Sequence, residues 1–422
     1  MRMNLKNLAL SLLVLGGSSM YAQLNDRNID NFREPDKRGI NVFEAPKDTA
    51  TTFDGLKVRI GGSSTLQFQA LDHENSGGAE LIEIGSNFNL ATANLDLDVQ
   101  LYDGVRMHLR TYLSSRHHPE PYVKGGYFQI DKLSFIEEGF LDEIMDYTTI
   151  KVGHMENNYG DAHFRRTDNA QAMHNPFVGN LIMDAFTTEV GAEVYYRRNG
   201  FIGMLGFTNG KLNQSVDNPD SGGASFLAKL GYDKQFNDDF RFRLTGSLYN
   251  TGKVATSYLY SADRAGSRYY LVMEPEGSKP ASAFRSGRYD PKLNNKISAF
   301  MINPFVKYKG LEFFGTYERA NGKASYEEEK RTANQYAAEM VYRFGNNENF
   351  FLGGRYNKVD AEDIGGDDIE IDRMQIGAGW FMTNNIMVKA EYVNQSYDGY
   401  DASSIFHDGK FDGFMAEAVI SF

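Results

Sequence analysis

Residues 94–110 read Asn94-Leu-Asp-Leu-Asp-Val-Gln-Leu101-Tyr-Asp-Gly104-Val-Arg106-Met-His-Leu-Arg110, and this stretch decides the fold. Apolar residues take every second position from Leu95 to Leu101, and polar residues take the positions between them. A period of two with one polar face is typical of a β-strand. The Asp-Gly pair that interrupts the pattern favours a tight hairpin. The stretch therefore predicts two antiparallel strands, each with one apolar and one polar face.

The same alternation recurs along the chain and predicts sixteen strands. They span 57–71, 86–101, 105–114, 121–131, 147–155, 187–198, 201–209, 224–236, 240–251, 295–309, 311–321, 333–344, 350–360, 369–382, 386–397 and 409–422. Most of them have the roughly 9–11 residues that a tilted strand needs to cross a bilayer.

The connections alternate in length, which favours a membrane barrel. Short turns rich in Asn, Asp and Gly, such as 199–200 and 309–310, alternate with longer loops. This is typical of an outer-membrane barrel with periplasmic turns at one end and outer loops at the other. The connection at 132–146 is an exception, since it should be short. Its apolar residues predict a small helix on the periplasmic rim: Phe135, Phe140, Leu141 and Ile144.

We therefore predict an all-β fold, a transmembrane antiparallel up-and-down β-barrel of about 16 strands. A soluble β-sandwich would also alternate, because one face of each sheet is wet. Sixteen long strands exceed an ordinary sandwich, however. A charge facing lipid costs about 2–4 kcal/mol, so one nearly charge-free face per strand is what a membrane would select.

Composition excludes several other classes. The 422 residues contain no cysteine, which excludes disulfide scaffolds, thiolate metal sites and cysteine nucleophiles. The chain has 44 Lys and Arg against 56 Asp and Glu, a formal charge of −12, which argues against nucleic acid as a partner. The mean hydropathy of −0.48 argues against a helical membrane protein. Aromatic residues form 13% of the chain and lean towards β-structure.

The N-terminal residues predict export. Residues 1–22 are typical of a signal peptide, with Arg2 and Lys6 before an apolar run and a cut near Ala22. The alternative is a buried N-terminal helix. Residues 23–56 form a polar extension, expected to be exposed and too short for a folded plug domain, and 57–422 form the barrel. The expected location is the bacterial outer membrane, in contact with lipid and lipopolysaccharide.

Charged residues are expected on the lumen wall, because sixteen strands leave an aqueous channel. The candidates are Arg59, Arg106, Arg110, Lys151, Arg241 and Arg243, with Glu318, Glu339 and Glu391. Basic residues come early in the chain and acidic residues late. This order predicts a basic wall opposite an acidic one, with a transverse field that would sort solutes. The polarity is expected to be partial, because Asp96, Asp98, Glu189 and Glu193 interrupt the basic wall. The alternative is that these charges only keep the wall wet.

The loop at 156–186, the third outer connection, interleaves aromatic and charged residues. We expect it to fold inward and narrow the channel. Its candidate constriction residues are Asp161, His163, Arg165, Arg166 and Asp168. The alternative is a surface loop whose arginines pair with Asp161, Asp168 and lipopolysaccharide.

A family resemblance rests on this region. The segment from Ile150 through Tyr159-Gly-Asp161-Ala-His163-Phe-Arg165-Arg166, followed by Asn175-Pro176-Phe177, resembles porins of Bacteroidetes-type bacteria. These are grouped with the phosphate-selective porins O and P. The resemblance implies a sixteen-stranded homotrimer with an inward third loop. It also implies anion contacts at Arg165, Arg166, Arg59, Arg106 and Arg110. The acidic balance and the lack of a dense arginine ladder favour general diffusion.

The expected function is passive diffusion of small hydrophilic solutes or ions, with an anion preference as a refinement. We expect no catalytic residue, cofactor or metal ligand. One alternative is a structural or secretion-associated barrel with a closed lumen. Another is a barrel-rim hydrolase that uses Ser114 or Ser115 with His117. Metal binding at 117–120, or loose Ca²⁺ or Mg²⁺ bridging by the acidic loop at 360–372, is a further alternative.

Overall fold

The computed structural model describes residues 29–47, 52–114, 117–168, 171–211, 223–261, 263, 266 and 268–422, with the side chains of 117–120 left out. The predicted signal peptide lies outside these residues. The described residues contain sixteen strands. They are β1 Lys57–Glu74, β2 Asn87–Tyr102, β3 Val105–Ser114, β4 His117–Ile130, β5 Thr148–Glu156, β6 Thr188–Arg198, β7 Phe201–Thr208, β8 Ser225–Gln235, β9 Phe240–Thr251, β10 Lys296–Tyr308, β11 Leu311–Lys323, β12 Arg331–Phe344, β13 Phe350–Glu362, β14 Asp368–Phe381, β15 Ile386–Asp398 and β16 Lys410–Ser421.

Each strand pairs with its neighbours in the chain, and β1 pairs with β16 to close the barrel. The closing register runs from Ser63 opposite Ser421 to Glu74 opposite Lys410. The predicted fold class, strand number and up-and-down order are confirmed. Closure gives every strand two neighbours, and the shortest pairing, between β4 and β5, runs over Gly126–Ile130.

The outer surface of the barrel is apolar between two aromatic belts. At the end with the short turns, exposed aromatic side chains surround the barrel: Tyr102, Tyr196, Phe201, Phe236, Tyr308, Tyr342, Phe350 and Trp380. Phe88, Phe207, Phe300 and Phe414 are exposed towards the other end. Such belts match the interfaces of a bilayer. We call the end with the short turns the periplasmic end.

The periplasmic rim carries the one α-helix of the described residues, α1 Asp142–Met145. It confirms the helix predicted at 132–146 and includes Ile144, whereas Phe135 and Phe140 lie outside it. Shorter 3-10 turns lie at Lys37–Gly39, Ala162–Phe164 and Asn346–Glu348. No helix in the described part of the chain is long and apolar enough to cross a membrane.

The inner face is polar through the middle of the barrel and apolar at the outer end. In β2, Asp96 and Asp98 are buried inside while Leu95 is exposed outside, as the alternation predicts. Near the outer end the faces exchange character. Val359 and Ile371 point inward into an apolar core, and Asp372 points outward. The strands thus continue beyond the apolar outer band.

Three segments fill the lumen. They are residues 29–47 at the periplasmic end and the described residues of the third outer loop at 157–187 and of the fifth outer loop at 252–295. The expectation that the N-terminal extension is exposed is wrong for most of residues 29–47, whereas it holds for residues 52–56. Asp36 and Phe43 are 1% and 2% exposed, because the barrel wall and the third loop surround them.

Candidate functional site

The third loop enters the lumen through a buried charge cluster at its start. Asp161 accepts hydrogen bonds from Arg243 Nε and Nη2, both at 2.8 Å, and from Thr245 Oγ1 at 2.7 Å. Lys229 Nζ lies 2.9 Å from the same carboxylate. Burial alone would raise the pKa of Asp161, but Arg243 and Lys229 outweigh it and hold the pKa below its usual range. The cluster fixes the loop to β8 and β9.

Gly160 allows the sharp entry of the loop. Its φ is +70°, a conformation that residues with a Cβ rarely adopt. A Cβ there would also lie 2.1 Å from Met301 Sδ. The glycine therefore lets the loop pass close to β10 on its way into the lumen.

The tip of the loop reaches the opposite wall. Phe177 is fully buried and lies over two inward-facing glycines, Gly353 on β13 and Gly377 on β14. A Cβ on Gly377 would lie 3.1 Å from the Phe177 ring. The Arg355 guanidinium lies 4.2 Å from the centre of that ring. The wall glycines thus form a recess for an aromatic side chain, and the predicted inward fold of the loop is confirmed.

The two loop arginines have carboxylate partners. Arg165 Nη2 lies 3.3 Å from Glu339 and donates to Asn41 Oδ1 at 2.5 Å. Arg166 donates to Asp184 at 2.9 and 2.6 Å and to Asp168 at 2.9 Å. These contacts hold the loop in the lumen.

His163 and Asp168 complete the predicted constriction set. His163 Nδ1 lies 2.7 Å from Glu156, and its Nε2 lies 3.1 Å from Asn158. Asp168 also pairs with Lys124 at 3.0 Å. Of the five candidate loop residues, His163 lines the cavity described below.

The fifth loop packs above the third and shares its anchors. Tyr260 of the fifth loop donates to Glu318 at 2.6 Å, and Tyr159 of the third loop donates to the same carboxylate at 3.0 Å. Tyr269 donates to Glu391 at 2.7 Å, which also accepts from the Val178 backbone N–H at 2.7 Å. Two wall glutamates therefore bind both loops at once.

The predicted wall residues all face the lumen, and most are paired. Arg59 lies 2.8 Å from Asp98, Arg110 lies 2.6 Å from Asp96, and Arg241 lies 2.6 Å from Asp233. Glu339 lies 2.9 Å from Arg355.

The expectation of one basic and one acidic wall is wrong. The late strands also point basic residues inward: Arg343, Arg355, Arg373 and Lys389. Alternation could have placed these four residues, because each follows the inward period of its strand.

A cavity of about 150 Å³, lined by charged and aromatic side chains, remains inside the barrel beside β2–β5. Its lining combines wall residues with the N-terminal segment and the third loop. The charged members are Arg33, Arg106, Arg110, Lys124 and Lys151 against Glu34, Asp96 and Glu156. A volume of this size holds several water molecules, since one needs roughly 10–15 Å³ of such space.

Three cations on this lining have no ion pair within 4 Å in the part of the chain that the structure describes. Arg106 donates to Gln129 at 2.7 Å, and its buried Nε has no hydrogen-bond partner. Lys151 lies over the rings of Tyr127 and Tyr195. Arg33 donates to the backbone carbonyls of Gly39 and Phe164.

Arg33 remains charged at neutral pH. Burial lowers the pKa of its guanidinium to about 10, while Glu156 and Glu44 act in the opposite direction. The carboxylates on the cavity lining also have partners. Asp96 pairs with Arg110 and Glu156 contacts His163, both on the same lining, and Glu34 pairs with Arg38. Five lining cations thus face three lining carboxylates. The cavity therefore carries an excess of positive charge.

Other candidate chemistry has no support in the described residues. No group of three or more His, Cys, Asp or Glu side chains in the described ranges could hold a metal ion. The side chains of His117 and Glu120, and residue Ser115, lie outside the described part. Ser114 faces inward and is buried. In the acidic outer loop, Glu370 pairs with Lys358 at 2.7 Å.

Comparison with known proteins shows the fold. No family model matches the sequence, and no curated protein matches it. The anion-selective porin from Comamonas acidovorans is 11% identical with a TM-score of 0.55, over 87% of this chain and all of that one. The outer membrane protein OmpT of Vibrio cholerae, in its trimer form, is 11% identical with a TM-score of 0.54, over 87% of this chain and all of that one. OprB of Pseudomonas putida is 11% identical with a TM-score of 0.52, over 86% of this chain and 94% of that one.

These identities are low, so the likeness establishes architecture alone. The chain has the sixteen-stranded barrel fold of outer-membrane porins. The phosphate-selective group suggested by the sequence is not among the three structures compared above.

Proposed function

We propose that the protein is an outer-membrane porin that passes small hydrophilic solutes or ions down their gradients. The observation that supports this proposal is the charge-lined cavity beside β2–β5, which lies within a barrel whose outer surface is apolar. No covalent chemistry is part of it, and no cofactor is needed. Asp161, His163, Arg165, Arg166 and Asp168 act by fixing the third loop across the channel.

The refinement to this proposal is a preference for anions. Arg33, Arg106 and Lys151 supply positive charge without a paired carboxylate, in a site partly removed from bulk water. Charge of one sign in such a site favours the opposite ion. Among the arginines implied by the resemblance, Arg106 is the one placed to act in this way, whereas Arg59, Arg110, Arg165 and Arg166 are occupied by protein carboxylates.

The test is planar-bilayer conductance of the purified mature chain under a salt gradient. We expect discrete open steps and a reversal potential on the anion side. Arg106→Gln combined with Lys151→Gln should move the reversal potential towards cations. Lys330→Gln, which removes a charge from an exposed outer loop, serves as the matched control. A reversal potential of the unaltered chain on the cation side would refute the anion preference, and an unchanged potential in the double variant would refute its assignment to Arg106 and Lys151.

A closed barrel with a structural or secretion-associated role is the second candidate. The observation that favours it is the apolar core at the outer end, where the fifth loop packs Val272, Met273 and Leu293 against wall residues such as Ile371. Water and ions do not cross such packing. Silence from a demonstrably folded barrel in the same bilayer experiment would support this role and refute the porin.

The assembly proposal is a homotrimer in the outer membrane, in contact with lipid and lipopolysaccharide, with the signal peptide removed near Ala22. The trimer form of one structural neighbour motivates it. Native mass spectrometry of the detergent-extracted protein should give three times the mass of the mature chain. A monomer mass under conditions that preserve known trimers would contradict it.

A further inference from the structure

The N-terminal segment at 29–47 runs around the inside of the periplasmic mouth. Its backbone and side chains contact, in order, β2, β16, the turn between β14 and β15, β11, β9 and β5. The corresponding partners in the wall are Gln100, Ser421, Asn384, Glu312, Arg243 and Thr148. The segment therefore makes nearly a full circuit of the barrel.

The segment separates two spaces. Phe32, Arg33, Glu34 and Pro35 line the inner cavity beside β2–β5. Lys37, Ile40 and Asn41 line a vestibule of about 950 Å³ that lies among the periplasmic turns. A solute leaving the cavity towards the periplasm would therefore meet this segment.

The segment also contacts the third loop from below. Arg33 Nη2 donates to Phe164 O at 2.9 Å, and His174 Nε2 lies 3.0 Å from Asp36 O. Arg165 of the loop donates to Asn41 of the segment. The loop and the segment thus close the lower half of the lumen together.

The segment is attached by separate polar contacts and one buried aromatic side chain. Glu44 accepts from Arg243 at 2.8 and 2.9 Å, and Asn41 donates to Glu312 at 2.6 Å. Phe43 packs against Phe305 at 5.4 Å between ring centres. Water that enters the lumen can replace the neutral hydrogen bonds, whereas the buried Glu44–Arg243 ion pair is the strongest polar attachment of the segment.

The barrel does not need the segment for closure. The sixteen strands pair with one another all the way round, and β1 bonds directly to β16. Removing 29–47 would therefore break no strand pairing.

We propose that residues 29–47 are a resident plug of the periplasmic mouth, and that their displacement opens the channel. The inference rests on the proposed channel function and adds its regulation. The plug sets how far the channel is open, while the third loop and the unpaired cations set what passes.

The experiment compares three proteins in planar bilayers. The first is the intact mature chain, and the second lacks residues 29–47. The third carries Pro35→Cys and Ser421→Cys, joined by a short thiol cross-linker. Ser421 Oγ donates to Pro35 O at 2.9 Å, so the two positions are adjacent. The chain has no native cysteine, so the cross-link is unambiguous.

We expect the deletion to raise single-channel conductance several-fold. We expect the cross-linked protein to conduct least, and chemical cleavage of the cross-link to restore the intact level. Pro35→Cys alone, treated with the same reagent, is the control. If the deletion variant assembles poorly, Phe43→Ala with Glu44→Gln weakens the plug within the full-length chain and should raise conductance in the same direction.

Each outcome decides the proposal. A conducting intact chain whose conductance changes neither on deletion nor on cross-linking overturns the plug and leaves the porin standing. A silent intact chain with a conducting deletion variant supports the plug and contradicts the proposed passive diffusion through the intact chain. Silence from both, with both barrels folded, overturns the plug together with the proposed function.

Discussion

Neutralising Asp161 should release the third loop from the lumen. The Asp161→Asn substitution keeps the shape of the side chain but removes its charge. Asp161, Arg243 and Lys229 are all fully buried. Removing one partner of a buried ion pair typically costs about 3–5 kcal/mol.

The lower end of that range applies here. Glu44 remains beside both cations, 2.8 Å from Arg243 and 3.6 Å from Lys229, so neither is left without a carboxylate. A cost of about 3 kcal/mol shifts the ratio of docked to released loop by roughly 100-fold, since about 1.4 kcal/mol is a factor of ten. Strand pairing is untouched, so the barrel itself should remain folded.

Thiol labelling measures this release. Ala172→Cys places a single cysteine in the loop at a site 2% exposed, against Phe351 and Phe381. When the released loop docks again faster than its cysteine reacts, the labelling rate is proportional to the population of the released loop. We expect Asp161→Asn to raise the rate about 100-fold in this background.

Asp142→Asn on the exposed rim helix is the control, and it should change the rate by no more than about twofold, because surface substitutions stay within about 0.5 kcal/mol. A rate for Asp161→Asn that matches this control would refute the assigned role of the charge cluster.

Three further predictions concern the same loop. Phe177→Ala should also raise labelling at position 172, since truncating a buried Phe costs about 3–5 kcal/mol; an unchanged rate would show that the aromatic recess does not hold the loop. Gly377→Leu should displace the ring from that recess and raise labelling likewise, whereas Gly85→Leu, where a Cβ meets nothing, should not. Acid should release the loop as well. Burial, and next to it the charge of Arg33, lower the pKa of His174 well below its usual range, so the docked loop favours the neutral ring. The stability that the neutral ring gives to docking is fully present above the unfolded pKa of about 6.5 and decreases as pH falls below that value. Labelling normalised to an exposed cysteine at position 403 should therefore rise on acidification, and equal acid dependence in His174→Gln would contradict this assignment.

The barrel could be predicted because its determinants are local in sequence. The alternation in residues such as Leu95 and Asp96 reports directly which side of a strand faces lipid. Turn residues such as Asn199 and Gly200 mark the hairpins. Strand number and order follow from these two signals together.

The contents of the lumen could not be predicted in the same way. Partners such as Glu44 and Arg243, or Phe177 and Gly377, lie far apart in the chain and meet only because the barrel closes. The pairing of Arg165 and Arg166 also depends on such contacts, with Glu339 and Asp184. The sequence predicts that these arginines lie near the lumen, but it does not identify the residues that pair with them.

The apolar inward face at the outer end of the barrel was not predicted from the sequence for another reason. Val359 and Ile371 follow the alternation, but their strands extend beyond the apolar outer band, where water lies outside and the fifth loop lies inside. The inward face is therefore apolar there. A period of two gives the two faces of a strand, and only the position along the barrel axis decides which face is buried.

Solute entry into proteoliposomes tests the central claim most directly. Liposomes containing the folded, intact barrel are placed in an isotonic solution of an amino acid or of a trisaccharide, and swelling is followed by light scattering. A narrow porin should admit the amino acid and exclude the trisaccharide. Absence of swelling in both, with the barrel shown to be folded, would contradict passive diffusion and identify the lumen as closed.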